Sequence, residues 1–168
     1  MPTRPISVKP HLPHPALPGA NWADCYELQV RAPGLSAVQV ADMILSRFPL
    51  WVRLLMRLRN AVVGVFGLKS SEYHSPEAME MIGFFPVVSK SGDQVVLGFD
   101  DKHLDFRIVI DVRDGGSDRR VVDVTTLVKR NILLGKVYIA AITPFHKLIV
   151  STMLTRLGRR IDAVNSAR

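Results

Sequence analysis

A chain of 168 residues that is 48% apolar is long enough for one domain with its own core, and 22% charged residues argue against global disorder. The single Cys25 excludes an internal disulfide and any cysteine-cluster metal site, and it fits a reducing compartment. The net charge of +7 is uneven: Arg47, Arg53, Arg57, Arg59 and Lys69 lie in a stretch from Met43 to Ser71 that holds no acid, which points to anionic surfaces as contacts if to anything beyond solubility.

Residues 1–21 carry Pro2, Pro5, Pro10, Pro13, Pro15 and Pro18. Proline fixes φ and removes a donor, so this stretch is expected to be an extended arm, with the domain running over 22–162 and a tail over 163–168. No start resembles a secretory signal, and no uncharged apolar run of bilayer length stands out, so a cytoplasmic location is expected. Cys25 to Arg31 alternates, with Tyr26, Leu28 and Val30 on one face, and reads as a first strand ended by Pro33-Gly34. Ser36 then opens a helix, with Gln39 completing a capping box and Val40, Ala41, Ile44, Leu45 and Phe48 as the inner stripe.

Pro49 ends that helix, and a second is expected from Leu50 to Phe66. Its Trp51, Leu54, Leu55, Leu58, Val62 and Val65 follow the helical period, opposite a basic side. Such a helix packs on its own domain or lies on a membrane, with Arg53, Arg57 and Arg59 as the anion-facing residues. After a loop over 69–81, strands are expected at Gly83–Val88 and Gln94–Phe99.

The best-determined element follows. From His103 to Val112, His103, Asp105, Arg107 and Asp111 alternate with Leu104, Phe106, Ile108, Ile110 and Val112, the pattern of an antiparallel strand with one wet and one dry face. The turn Asp114-Gly115-Gly116-Ser117-Asp118 leads into a returning strand, Val121 to Lys129, and Gly135 to Ile142 reads as a last strand. Thr143 and Pro144 have the chemistry of an N-cap and first position for a long C-terminal helix, with Phe145, Leu148, Ile149, Thr152 and Met153 down one side.

Strand, two helices, a run of strands and a long helix make an α+β domain. The order resembles the helix-grip superfamily (START-like, SRPBCC) of lipid-transfer domains, polyketide cyclases and pollen allergens. In it an antiparallel sheet wraps a C-terminal helix and often leaves an apolar cavity between them. Three stretches are also similar as sequence to the bacterial domain-of-unknown-function family 2867: Ile82-Gly83-Phe84-Phe85-Pro86-Val87, Gly98 through Arg107, and Gly135-Lys136-Val137-Tyr138 with Ile142-Thr143-Pro144-Phe145-His146. Members of that family occur alone or behind an NAD(P)-binding short-chain-dehydrogenase-like domain. This resemblance implies such a protein as a partner and transfers no catalytic residues.

On the residues themselves, the expected role is binding an apolar or amphipathic small molecule. The cavity would be lined by Leu104, Phe106, Ile108, Ile110, Val122, Val124, Thr126, Tyr138 and Ala140 from the sheet and Phe145, Ile149 and Met153 from the helix. The alternative is a cyclase- or isomerase-like enzyme with His103, Asp105 or His146 carrying a proton, His146 being placed to approach Tyr138 or Asp24. The trio His103, Asp105 and Arg107 reads equally as an outer charge ladder with Asp111, Arg113 and Asp123. No Gly-x-Gly-x-x-Gly fingerprint and no His-x-His or His-x-x-x-His spacing occur, so no cofactor or metal is expected. Aromatics lie in apolar stripes and not beside arginines, which argues against nucleic acid.

Overall fold

Alternating side chains with one apolar face commit most of this chain to an antiparallel sheet. The structure, a computed structural model, describes residues 4–54, 80–100 and 104–167. In chain order the elements are β1 (Ile6–Val8), β2 (Trp22–Arg31), α1 (Ala37–Leu45), β3 (Met81–Ile82), β4 (Phe85–Lys90), β5 (Gln94–Asp100), β6 (Leu104–Asp114), β7 (Arg119–Arg130) and α2 (Leu133–Ser166). The strands form one seven-stranded sheet in the order β1-β2-β7-β6-β5-β4-β3, and every pairing is antiparallel. The strand preceding the helices therefore lies beside the last strand of the meander. Residues 50–54 are helical; the rest of the helix expected to Phe66, and most of the loop after it, lie outside the described residues.

Local chemistry places the boundaries. Ser36 Oγ accepts from the Gln39 amide while the Gln39 side chain accepts from the Ser36 amide, so two orphan donors at the start of α1 are satisfied reciprocally. Between β6 and β7, Gly116, Ser117 and Asp118 all have positive φ, and Asp114 Oδ1 accepts from the Gly116 amide. Gly98 of β5 sits at φ 145°, and a Cβ there would lie 2.0 Å from the Phe106 carbonyl oxygen. Only glycine fits that approach. Arg107 fastens the same place, donating to the Phe99 and Phe106 carbonyls and pairing with Asp100 at 2.7 Å.

The two sheet faces are covered differently. On the inner face Tyr26, Leu28, Val30, Val95, Leu97, Ile108, Ile110, Val112, Val122 and Val124 pack against Val40, Ala41, Ile44 and Leu45 of α1 and Met153, Leu154, Leu157 and Ile161 of α2. Each fully buried leucine or isoleucine there contributes about 1.5–3 kcal/mol of transfer free energy. On the outer face Val96, Val109 and Leu127 form a second cluster, capped by Leu17 with Ala16 and Ala20 of the proline-rich arm. The arm thus supplies an edge strand to β2 and an apolar lid to the sheet. The rest of the outer face is a charge ladder: Arg113 pairs with Glu27 at 2.6 Å and Asp123 at 2.8 Å, Asp105 with Lys129 at 3.4 Å, and Gln94 donates to Asp111.

Two expected elements are corrected. The strand expected over Gly83–Val88 begins only at Phe85, because Gly83, at φ 60°, turns the chain between β3 and β4. Gly135–Ile142 is not a strand; α2 begins at Leu133 and runs through it. Thr143 and Pro144 lie inside the helix, where Thr143 Oγ1 donates to the Ile139 carbonyl one turn back and does no capping. The reason is tertiary. β7 already has β2 on one side and β6 on the other, so a strand following it cannot form a hairpin with β7. Residues 135–142 are also largely apolar on both alternations, and such a run satisfies either period.

The site where helix α2 meets β2 and β7

Inward positions of β2 and β7 place unlike residues opposite each other. The register pairs Trp22 with Val128, Asp24 with Thr126 and Tyr26 with Val124, all on the face covered by α2. Asp24 and Thr126 are buried, which puts a carboxylate and a hydroxyl in an otherwise apolar layer. Burying an ionised carboxylate without a partner costs several kcal/mol. The partner is His146 of α2. Its Nε2 lies 3.2 Å from Asp24 Oδ1, 3.1 Å from Asp24 Oδ2 and 3.2 Å from Thr126 Oγ1. The edge of Trp22 closes the arrangement, its ring centroid 5.8 Å from that of His146 at 74°.

The geometry selects one tautomer of the neutral ring. With Asp24 ionised, Nε2 carries the hydrogen and donates it to the carboxylate, because a lone pair there would face a negative charge. Asp24 Oδ2 has no hydrogen bond of its own although it is buried beside the ring. His146 Nδ1 makes no hydrogen bond among the described residues, so the tautomer that Asp24 selects presents a lone pair at Nδ1. A carboxylate that fixes an imidazole in this way is the arrangement of an oriented base, or of an anchor for one polar ligand group.

This site stands at the half-covered end of the inner face. Trp22, Val128, Phe106 and Phe99 form one row across four strands, since Phe106 pairs with both Val128 and Phe99. Phe106 packs against Phe99 at 5.7 Å and Phe85 at 5.9 Å between ring centroids. Trp22, Phe99, Leu104 and Phe106 are only partly buried, whereas Leu28, Ile110, Val112 and Val122 at the other end are sealed under α1 and the second half of α2. An aromatic shelf therefore adjoins the polar trio.

The other expected site residues fall as follows. Ile108, Ile110, Val122 and Val124 lie in the packed inner cluster, with Met153 buried there and Ile149 packed against it. Tyr138 and Ala140 belong to the helix and not to the sheet, and Ala140 is exposed. Phe145 is also displaced from its expected inward position: it is exposed, because the helix phase that points His146, Ile149 and Met153 inward turns residue 145 out. Asp105 is on the outer face with Lys129 and Asn131. Arg53 is exposed, while His103, Arg57 and Arg59 lie outside the described residues. Cys25, one position from Asp24, points to the opposite face, where the Thr125 hydroxyl donates to it and burial pushes its thiol pKa up. It has the character of an inert core thiol.

Sequence reasoning missed the roles of Trp22 and Phe99. The signal available was β2 itself: extending its inward phase back from Tyr26 lands on Asp24 and Trp22, and an acid at an inward strand position needs a partner. Among the described residues, no three histidine, cysteine, aspartate or glutamate side chains are grouped to hold a metal. A recess of about 140 Å³ lies between α1 and α2, lined by Met43, Arg47, Met153, Arg156, Leu157 and Arg160.

No curated protein and no solved structure matches the sequence. The profile of a family described as "Protein of unknown function (DUF2867)" matches residues 16–153, a span that takes in Leu17 of the arm, Asp24, Thr126 and His146. That span is most of the chain, and the protein therefore belongs to the DUF2867 family.

Proposed function

We propose that this protein binds a small molecule with an apolar, ring-sized body and one polar group. The body would rest on Trp22, Phe99 and Phe106 and the polar group would meet His146. The carrying observation is the buried Asp24 carboxylate paired at 3.1 Å with the partly buried His146, beside an aromatic shelf that the rest of the fold leaves half covered. Small-molecule sites combine such apolar walls with a few convergent polar groups. A helix-grip reading is consistent with this: the strand before the helices pairs with the last strand of the meander, and the terminal helix packs across the inner face.

The test is native mass spectrometry of freshly purified protein before and after organic extraction. A reproducible excess mass, released by extraction and with its affinity lowered about two- to tenfold by His146→Leu, is expected, since one hydrogen bond to a neutral ring is worth about 0.5–1.5 kcal/mol. A clean apo mass that persists after incubation with cell extract would count against the proposal.

The orientation of His146 favours one further reading, an isomerase- or cyclase-like proton transfer. Nδ1 would take a proton from a carbon next to a carbonyl and return it at another position, Asp24 holding the imidazolium between the two events. Solvent deuterium entering added 1,3-dicarbonyl compounds reports this step. Incorporation should fall to background in Asp24→Asn and His146→Asn, and wild-type protein no faster than buffer would sink the idea.

A further inference from the structure

Helix α2 is apolar on two sides in its first half. The inward side holds Ile139, His146, Ile149, Val150, Met153 and Leu154 against the fold. The opposite side holds Leu133, Val137, Phe145 and Leu148, whose exposures are 74%, 60%, 52% and 57%. Spacings of four, eight and three residues put these four on one outward stripe. The stretch is long and apolar enough by length and composition to cross a bilayer, yet only 17% of its most apolar window is buried. A helix that is apolar all round is normally buried in protein or lipid.

Charge decides among the possible covers. From Asn131 to Ile161 there is no acid, while Lys136, Lys147, Arg156, Arg159 and Arg160 are all present and exposed. A second copy laid on this stripe would bring the same lysines together, and the one carboxylate of the helix, Asp162, lies about four turns beyond Lys147, out of their reach. An anionic lipid surface supplies both an apolar phase for the stripe and negative headgroups for the lysines that flank it. Crossing the bilayer is ruled out by the inward side, since Ile139, Met153 and Leu154 would have to leave the core.

We infer that the outer stripe of α2, Leu133, Val137, Phe145 and Leu148 rimmed by Lys136 and Lys147, docks this protein peripherally on anionic phospholipid membranes. The stripe is turned away from the His146 site, so docking leaves that site's inner face as it is.

The experiment is flotation of the full chain with phosphatidylcholine vesicles, with and without phosphatidylglycerol. Wild-type protein should float with the anionic vesicles, and binding should weaken as salt rises. The double substitution Phe145→Ser/Leu148→Ser should lower partitioning by at least about tenfold. Lys136→Gln/Lys147→Gln should lower it about tenfold on anionic vesicles only. Should the serine variant fail to fold by circular dichroism, Val137→Gln with Leu148→Gln takes its place. Wild-type protein that stays in the buffer overturns the inference. So does binding that survives the stripe substitutions but is lost on replacing Arg53, Arg57 and Arg59, which would move the contact to another surface. A concentration-dependent dimer in sedimentation velocity, made monomeric by Phe145→Ser/Leu148→Ser, would assign the stripe to a second copy and equally overturn it.

Discussion

Leu148 and Leu154 lie less than two turns apart on α2, and the phase of the helix assigns them opposite fates. Leu154 is fully buried in the inner cluster; Leu148 is 57% exposed. Truncating Leu154 to Ala removes buried methyl groups and leaves a cavity between sheet and helix, at a cost of about 3 kcal/mol, within the range of about 2.7–5 seen for such changes. Truncating Leu148 removes a side chain that keeps less than half of its possible burial, and Ala is the better helix former, so the cost stays below about 1 kcal/mol. Urea unfolding followed by circular dichroism separates the two. With m of about 2 kcal/mol/M, Leu154→Ala should lower the midpoint by about 1.5 M and Leu148→Ala by less than about 0.5 M, with m unchanged. Equal shifts, or a larger one for Leu148→Ala, would mean that the helix packs in another phase. The inward placement of His146 would fall with it.

Three further outcomes are expected. Gly98→Ala should destabilise by about 3 kcal/mol or more, since its Cβ would meet the Phe106 carbonyl oxygen at 2.0 Å; a near-neutral thermal shift would show that β5 and β6 do not approach so closely there. Leu17→Ala should cost about 2 kcal/mol and raise binding of an apolar dye, because Leu17 caps Val96, Val109 and Leu127; an unchanged midpoint would mean the arm is not docked. Burial raises the pKa of both the Cys25 thiol and the Tyr26 phenol. The native state therefore holds these protons more tightly than the unfolded chain does. The resulting stability is complete below the ordinary thiol range and declines as pH rises through about 8.5 and then 10, the unfolded values. Denaturation midpoints from pH 7 to 10.5 report this, and in Cys25→Ala the earlier part of the decline should disappear.

What could be read from the sequence was whatever local chemistry decides by itself. Ser36 and Gln39 cap α1 as a pair in any context, and the alternation through Leu104–Val112 has one dry face whichever element covers it. Gly116-Ser117-Asp118 turns the chain because its residues tolerate positive φ. The inward stripe of α1 is likewise a property of its own spacing. Residues 135–142 were different: both alternations are largely apolar, Pro144 reads as a helix start, and only the occupied sides of β7 exclude a hairpin strand there. That one decision moved Tyr138 and Ala140 off the sheet and, with the phase of α2, turned Phe145 outward. The covering of Val96, Val109 and Leu127 by Leu17 was also hidden, since proline spacing specifies an extended arm but not where it lies. From the sequence alone His146 could be brought toward Tyr138 or Asp24, with nothing to choose between them. Its distance to the carboxylate depends on three elements converging from positions 24, 126 and 146, and side-chain contacts between segments so far apart in the chain are set by packing, not by local pattern.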